Sequence, residues 1–395
     1  MLSRLAALLR SPERKASRAG RVIALEGAGR ARWTPRDYAA LAREGFTKNA
    51  IVYRAVRLVA ESVGGLSYIL HDGARELTAH PLIDLIARPN PRQDGAAFLE
   101  SIASHLLLAG NAYIEAVTLP GDGTKDVREL HALRPDRMKV VPGPDGWPQA
   151  YEYTVGGATV RFAQDAPLPP ILQLSLFNPV DDYYGLSPME AAAVAVDMHN
   201  AAARWNKALL DNAARPSGAL IYAVGDSEVL ADEQFQRLKR ELDSQYQGAA
   251  NAGRPLILEG GLDWKPMSLS PHDMDFMEAR HAAAREIALA FGVPPMLLAI
   301  PGDNTYSNYQ EASRVFWRQT VMPLGARIGS ALAQWLGPAY GEGLALSIDV
   351  DRIEALSADR AALWERVTKA SFLTINEKRI AVGYGAMQGG DVLQS

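Results

Sequence analysis

The chain has 395 residues, of which 48% are hydrophobic, and it carries a formal net charge of −4. This length allows a large core or two or three domains. The absence of cysteine excludes disulfides, thiolate metal sites and cysteine nucleophiles, and no stretch offers the roughly 18 uninterrupted apolar residues of a membrane span.

The charge is unevenly distributed along the chain. Residues 1–36 hold nine basic and two acidic side chains, a net +7, so the remainder carries −11. The apolar run Leu5 to Leu9 is flanked by arginines and precedes no cleavage site, which indicates an amphipathic end and not a signal peptide. The arm at 1–32 is predicted to be mobile; it either contacts nucleic acid or an acidic partner, or it is a solvated tail. The acidic remainder lacks the broad basic face of a tight DNA binder.

Two helices are predicted after the arm. Apolar residues recur at three- and four-residue spacing from Val52 to Val63, and Gly64-Gly65 ends the run. The second helix follows Asp94 and has Gly110 as its C-cap. We interpret both apolar faces as core.

A strand-rich block follows, punctuated by glycine turns. Its alternating segments predict an α+β domain with a mainly antiparallel sheet. The predicted strands are residues 113–117, 138–141, 151–155, 159–162 and 171–176.

The second half of the chain is mainly helical. An alanine-rich helix over 187–213 is predicted to begin with Ser187 as N-cap and Pro188 in its first turn. Later the long helix 308–336 is predicted to kink at Pro323. The other predicted segments are a β-α-β unit (strand 218–224, helix 230–246, strand 255–258), a helix 271–291, a loop 293–307 and a helical tail 358–382.

The chain offers little that indicates catalysis or metal binding. Its glycine pairs do not form a phosphate-cradling loop, and its seven histidines lack metal-ligand spacing. The segment around Ser187 is similar to a nucleophile elbow, but Pro188 stands where that motif needs glycine, so Ser187 is interpreted as a helix cap. The carboxylate pairs Asp181-Asp182 and Asp349 with Asp351 could hold a cation, although surface or turn roles are favoured.

An ordered set of short motifs runs over nearly the whole chain after Thr47. Each motif is weak alone, but the ordered set resembles the portal protein family of tailed phages with long non-contractile tails. The motifs are His80-Pro81-Leu82, Arg88-Pro89-Asn90-Pro91, Gly110-Asn111-Ala112-Tyr113, Glu129-Leu130 with Arg134-Pro135, Tyr184-Gly185-Leu186-Ser187-Pro188, Pro216-Ser217-Gly218, Asn251-Ala252-Gly253-Arg254-Pro255, Leu258-Glu259-Gly260-Gly261, Phe291-Gly292-Val293-Pro294-Pro295 and Thr374-Ile375-Asn376-Glu377-Lys378-Arg379.

The resemblance implies a portal-type α+β architecture. A β-α-β unit between two long helices fits the clip that portal proteins carry between their stem helices. The implied segments are the arm 1–32, the wing 33–186 and 308–350, the stem helices 187–215 and 271–292, the clip 216–270, the tunnel loop 293–307 and a short helical crown 351–395.

The resemblance also implies a structural function without enzymatic activity, cofactor or metal. The chain would form a homododecameric ring at one capsid vertex of a virion, assembled in the bacterial host cytoplasm, and conduct DNA during packaging and ejection. Implied partners are the terminase large subunit, then a head–tail adaptor protein, the major capsid protein, and double-stranded DNA held transiently and non-specifically; no membrane is implied. The brevity of the chain also resembles portals of bacterial gene transfer agents, and the sequence does not separate these from phage.

The resemblance assigns roles to two groups of residues. Residues in the tunnel loop are expected to face DNA, and residues in the clip are expected to bind the terminase and the adaptor. Two alternatives remain open, another structural virion component (a capsid or adaptor protein) and a hydrolase. The tunnel-loop residues are Gly302, Asp303, Asn304, Thr305, Tyr306 and Ser307; the clip residues are Glu228, Asp232, Glu233, Arg237, Lys239 and Arg240.

Overall fold

The chain divides into two units. The main unit comprises Trp33–Ala203 and Asp275–Ser395, and the smaller unit comprises Met1–Arg32 and Arg204–Met274. The predicted arm at 1–32 lies outside the described residues. The computed structural model describes residues 33–35, 37–118, 127–211, 218–222, 233, 236–237, 262–266, 276–302 and 306–393.

The main unit begins with helices whose ends are fixed by side chains. The Asn49 side chain accepts bonds from two backbone N–H groups of the first turn of α2, and Asp94 accepts from Ala97 N at the start of α4. Gly110 ends α4 in the left-handed conformation, φ 71°, as predicted. The helices are α1 (Tyr38–Leu41), which continues into a π turn (Ala42–Phe46), α2 (Ala50–Gly64), α3 (Pro81–Ala87) and α4 (Gly95–Ala109).

The predicted strands are present, and the α+β class is confirmed, but the strands form separate three-stranded sheets and not one. The sheet orders are β4-β3-β8 and β5-β6-β7, with all pairs antiparallel. After β4 the chain turns through a short 3₁₀ helix led by Pro135, and proline has no N–H to continue a ladder. The strands are β3 (Asn111–Thr118), β4 (Val127–Leu133), β5 (Met138–Pro142), β6 (Pro148–Val155), β7 (Ala158–Ala163) and β8 (Ile171–Ser175).

A further sheet was not predicted from the sequence. Its central strand β1 (Tyr68–Asp72) pairs with β2 (Arg75–Leu77) and with β11 (Leu344–Ile348), antiparallel in both cases. Tyr68 pairs with Ile348, so the ladder joins distant parts of the chain. The Tyr68 hydroxyl also donates to Gly325 O at 2.8 Å.

The predicted helix over 187–213 is interrupted. It consists of α5 (Pro188–Ala191) and α6 (Ala193–Asp211). At the junction the N–H of Ala192 bonds to both Pro188 O and Glu190 O, which tightens the turn. The predicted cap is confirmed, because Ser187 Oγ accepts from Glu190 N at 2.9 Å.

The long C-terminal helix is also segmented. After α7 (Phe276–Ala290) come α8 (Tyr306–Phe316), a π turn (Trp317–Val321) and α9 (Met322–Tyr340). Pro323 lies in the first turn of α9. A proline ring clashes with the carbonyl four residues earlier, and the wider π turn occupies the preceding residues. The predicted irregularity at Pro323 therefore takes the form of a π turn directly before it.

The predicted helical tail consists of two helices, α10 (Ser357–Thr368) and α11 (Ile375–Ala381). Asp351 accepts hydrogen bonds from Arg360, Trp364 and Tyr384. The bond from Arg360, followed by those from Tyr384 and Trp364, lowers the pKa of Asp351 to about 2. This carboxylate therefore joins α10 to the segment after α11.

The largest hydrophobic core lies between α2, α4, the sheets and α9. Phe98, Ile102, Leu106, Ile328 and Leu332 are among its fully buried members. A smaller cluster, which includes Tyr113 and Tyr151, packs between β3, β5 and β6. Within the described residues no helix has the length and apolar character needed to cross a bilayer.

Candidate functional site

The predicted tunnel loop begins at a fixed glycine turn after α7. Gly292 adopts φ 65°, a left-handed conformation that glycine accommodates without strain. Val293 N donates to Ala288 O at 2.9 Å, and the Thr320 hydroxyl donates to Gly292 O at 2.6 Å. The end of α7 is thereby tied to the π turn before α9.

The first half of the predicted tunnel loop contributes to the core, because Ile300 is only 3% exposed. A 3₁₀ turn, Pro295–Leu298, and a left-handed Ala299 at φ 55° reverse the chain and direct Ile300 inward. Burial of this branched side chain favours the inward position.

The second half of the predicted tunnel loop is described only in part. Gly302 is exposed, and a Cβ there would contact the guanidinium of Arg285, which donates to Pro301 O. Tyr306 and Ser307 already form the first turn of α8, so the loop ends two residues earlier than predicted. Asp303, Asn304 and Thr305 lie outside the described residues.

Only part of the predicted clip is described. Glu233 and Arg237 have helical backbone and exposed side chains, as expected for a solvated helix face. The other clip residues, Glu228, Asp232, Lys239 and Arg240, lie outside the described residues.

The described strands of the smaller unit form one antiparallel pair. β9 (Gly218–Tyr222) was predicted, and it pairs with β10 (Leu262–Pro266), which was not. The predicted second strand, 255–258, lies outside the described residues. Leu262 and Trp264 alternate with charged residues, so a period-two signal for β10 was present in the sequence.

A buried polar cluster that sequence analysis missed lies where α2, α6 and α7 approach one another in the main unit. Asn49, His199 and Asn200 are each at most 7% exposed. Asn49 Nδ2 lies 3.1 Å from His199 Nδ1 and 3.0 Å from Asn200 Oδ1. Asn200 Nδ2 donates in turn to Glu44 O at 2.8 Å. The cluster pairs polar groups that would otherwise be costly to bury.

The surroundings of His199 disfavour its charged form. Asn49 Oδ1 accepts two backbone N–H bonds, so the amide nitrogen of Asn49 is the atom that faces His199 Nδ1. Arg280 Nε donates to the other ring nitrogen, Nε2, at 3.4 Å. Burial, followed by the nearby Arg280 and His281, lowers the pKa of His199.

Two of the motifs that indicated the family resemblance, Gly110-Asn111 and Tyr184-Gly185, are in direct contact. The carbonyl of Gly110 accepts from Leu176 N at 2.8 Å, and Asn111 Oδ1 accepts from Gly185 N at 3.0 Å. A Cβ at Gly185 would overlap the carbonyl oxygens of Gly110 and Leu176. The Gly110-Asn111 and Tyr184-Gly185 motifs thus form one close backbone crossing that needs glycine on both sides.

Two other motifs also connect separate backbone segments by hydrogen bonds. Asn90 Nδ2 donates to Leu130 O at 2.9 Å, and Leu130 N donates to Pro89 O at 2.7 Å, which joins the Arg-Pro-Asn-Pro motif to β4. Near the C-terminus, buried Asn376 donates to Met387 O and accepts from Met387 N. These residues hold backbone segments in place, which is a structural and not a chemical use of asparagine.

The candidate chemical groups are engaged in structural bonds. Asp181 Oδ1 accepts from Tyr183 N and Tyr184 N in a turn, and Asp349 pairs with Arg352 at 3.2 Å. Among the described residues no group of three or more histidines and carboxylates is placed to hold a metal ion.

Comparison with known proteins identifies the family. The sequence model described as phage portal protein matches residues 50–383. The chain belongs to the phage portal protein family. It is 41% identical to a protein of Rickettsia bellii (strain RML369-C), over 89% of this chain and 90% of that protein. It is 27% identical to the portal protein of Enterobacteria phage HK97, over 80% of this chain and 72% of that protein.

A solved structure supports the same conclusion. The portal protein is similar to a chain in the neck of a native gene transfer agent particle, computed with C12 symmetry. The two are 52% identical, the match covers 91% of this chain and 97% of that chain, and the TM-score is 0.68. The predicted function as a structural portal protein is confirmed at this level, and the family is favoured over the capsid, adaptor and hydrolase alternatives.

Proposed function

We propose that this portal protein assembles into a closed twelve-subunit ring at one vertex of a bacterial virion-like particle. The observation that carries the proposal is the 52% identity to a chain from a neck computed with C12 symmetry. Heterologous contacts that close on themselves produce such rings. Since identity to the phage HK97 portal is only 27%, a gene transfer agent is the favoured kind of particle.

The proposed segments follow from the implied architecture. The wing is 33–186 with 308–350, the stem helices are 187–215 and 271–292, the clip is 216–270, and the crown is 351–395. The chain order supports this division, because α6 leads toward the clip and α7 leads away from it. The ring would contact the major capsid protein, and assembly would take place in the host cytoplasm.

We expect purified protein to form rings of about 0.5 MDa, since one chain has a mass of 42.8 kDa and twelve copies close the ring. Native mass spectrometry at micromolar concentration measures this directly. Monomers and dimers alone, both in the free protein and in isolated particles, would refute the ring.

Double-stranded DNA would pass through the bore with weak contacts only. Residues 37–395 carry a net charge of −11, which repels phosphates, and ion pairs to the backbone would slow sliding. The proposed DNA-facing residues are those of the tunnel loop, now limited by its ends at buried Ile300 and α8. Backbone contacts of this kind carry no sequence preference.

Replacing residues 302–305 with a Gly-Ser linker should leave ring formation intact and lower the DNA packaged or retained per particle. Tyr306 and Ser307 are kept, because they open α8. Quantitative PCR on nuclease-treated particles measures the effect. The matched control places Gly-Ser at Pro144-Asp145, in the exposed turn between β5 and β6. Packaging equal to the wild type in the linker variant would remove the loop from the mechanism.

The clip is proposed to bind the terminase large subunit first and the head–tail adaptor afterwards. Charge reversals Glu233→Lys and Lys239→Glu should weaken terminase binding about tenfold without dissolving the ring, since exposed interface charges steer association. Surface plasmon resonance on assembled rings measures the affinity. The control Glu365→Lys reverses an exposed charge on α10 and should bind normally. Unchanged affinity in the clip variants would place docking elsewhere.

A further inference from the structure

Helix α6 presents an apolar stripe that no part of the described main unit covers. Val194 and Met198 are 46% and 47% exposed, and Ala201 is also exposed. The opposite side of the helix carries buried Val196 and His199. The exposed positions follow a four–three spacing, which is the seam pattern of helices that pack side by side.

A second open face lies on α7. Ala284, Ile287 and Ala288 are buried and pack the helix on α2 and α5. On the other side Ala282 is exposed, and Leu289 is 80% exposed. These two residues are seven apart and therefore lie on one stripe, with Arg285 between them. The Arg285 guanidinium is directed to Pro301 O, which leaves the apolar pair accessible.

We propose that the α6 stripe of one copy packs against the Ala282–Leu289 face of the next copy around the ring. This inference rests on the proposed ring. Two different surfaces on one chain make a heterologous contact, which is the kind that closes a ring. The related chain in the C12 neck supports a second copy as the occupant. DNA is disfavoured, because Val194, Met198 and Ala201 offer no cation to a phosphate.

The contact can be tested by disulfide cross-linking, because the chain contains no native cysteine. Four double variants place one cysteine on each face: Met198→Cys or Val194→Cys, combined with Leu289→Cys or Ala282→Cys. A disulfide needs Cα atoms within about 7 Å, so four pairs allow for one turn of offset between the helices. At least one oxidised pair should give a ladder of covalent multimers larger than dimers on denaturing gels.

The controls separate this contact from the ring itself. Single-cysteine variants should stay monomeric on the denaturing gel, and so should Met198→Cys paired with Phe372→Cys, which lies on an exposed segment after α10. Rings without a ladder in any of the four pairs would overturn the contact while leaving the ring proposal standing. Absence of rings in the wild-type protein would overturn both.

A charge substitution provides an independent measurement. Met198→Lys places an ammonium in the proposed seam and should lower the ring fraction at micromolar concentration about tenfold. Because Met198 is half exposed, the monomer should keep its thermal stability. Phe372→Lys is the matched control and should form rings normally. Wild-type ring content in Met198→Lys would contradict the proposal.

Discussion

Replacing Gly185 with alanine is expected to lower the free energy of unfolding by about 3 kcal/mol, in the upper range for overpacking a rigid site. The new Cβ would overlap the carbonyl oxygens of Gly110 and Leu176. These are backbone atoms held by β3 and β8, so neither can rotate away as a flexible side chain would. Urea denaturation followed by tryptophan fluorescence measures the change.

Gly65→Ala is the matched control for this prediction. Gly65 follows α2 with φ −77°, which alanine adopts without strain, and a Cβ there would come no closer than 3.5 Å to atoms beyond its chain neighbours. This exposed position should tolerate alanine with a change of less than about 0.5 kcal/mol. Equal effects at the two positions would show that the backbone crossing does not constrain Gly185.

Replacing Asn49 with alanine is expected to lower the free energy of unfolding by about 3 kcal/mol. Loss of the α2 cap contributes about 1 kcal/mol. The remainder arises because buried His199 Nδ1 and Asn200 Oδ1 lose the donor that pairs them, and an unsatisfied buried group costs about 1–3 kcal/mol. Thermal unfolding of the full-length protein at neutral pH gives the comparison.

Two further variants separate the contributions at Asn49. Asp94→Ala removes an exposed cap of α4 and should cost only about 1 kcal/mol. Asn49→Ser keeps a cap oxygen but is too short to reach His199 and Asn200, so its cost should fall between those of the other two variants. If Asn49→Ala lowers the free energy of unfolding no more than Asp94→Ala does, the buried cluster adds no stability beyond that of the helix cap.

Local sequence patterns were sufficient to predict many of the helices and strands. The helices α2 and α4 were predicted because an apolar helical pattern ends at glycine in each segment. Strand β1 was missed although its hairpin with β2 turns at Asp72-Gly73, which is a local signal. Its pairing with β11 joins Tyr68 to Ile348, and pairing at that separation leaves no local trace in the sequence. The interruption at Ala192 was likewise missed, since neither glycine nor proline marks it.

Less of the candidate site than of the fold could be predicted from the sequence. The polar composition around the tunnel loop was visible, but the anchoring of Ile300 depends on the left-handed turn at Ala299, which a non-glycine residue rarely adopts. His199 appeared as one of several scattered histidines. Only the folded structure shows that its Nδ1 lies 3.1 Å from the side chain of Asn49, 150 residues away.

The π turn between α8 and α9 has a rotational consequence. An α-helix advances about 100° per residue, and a π turn accommodates one extra residue. Trp317–Val321 therefore holds the extra residue while the side chains of α8 and α9 keep their faces, and α9 is fixed in the core by Ile328 and Leu332. Deleting one residue from this turn should convert it to regular α-helix and leave Tyr309 on the exposed face of α8.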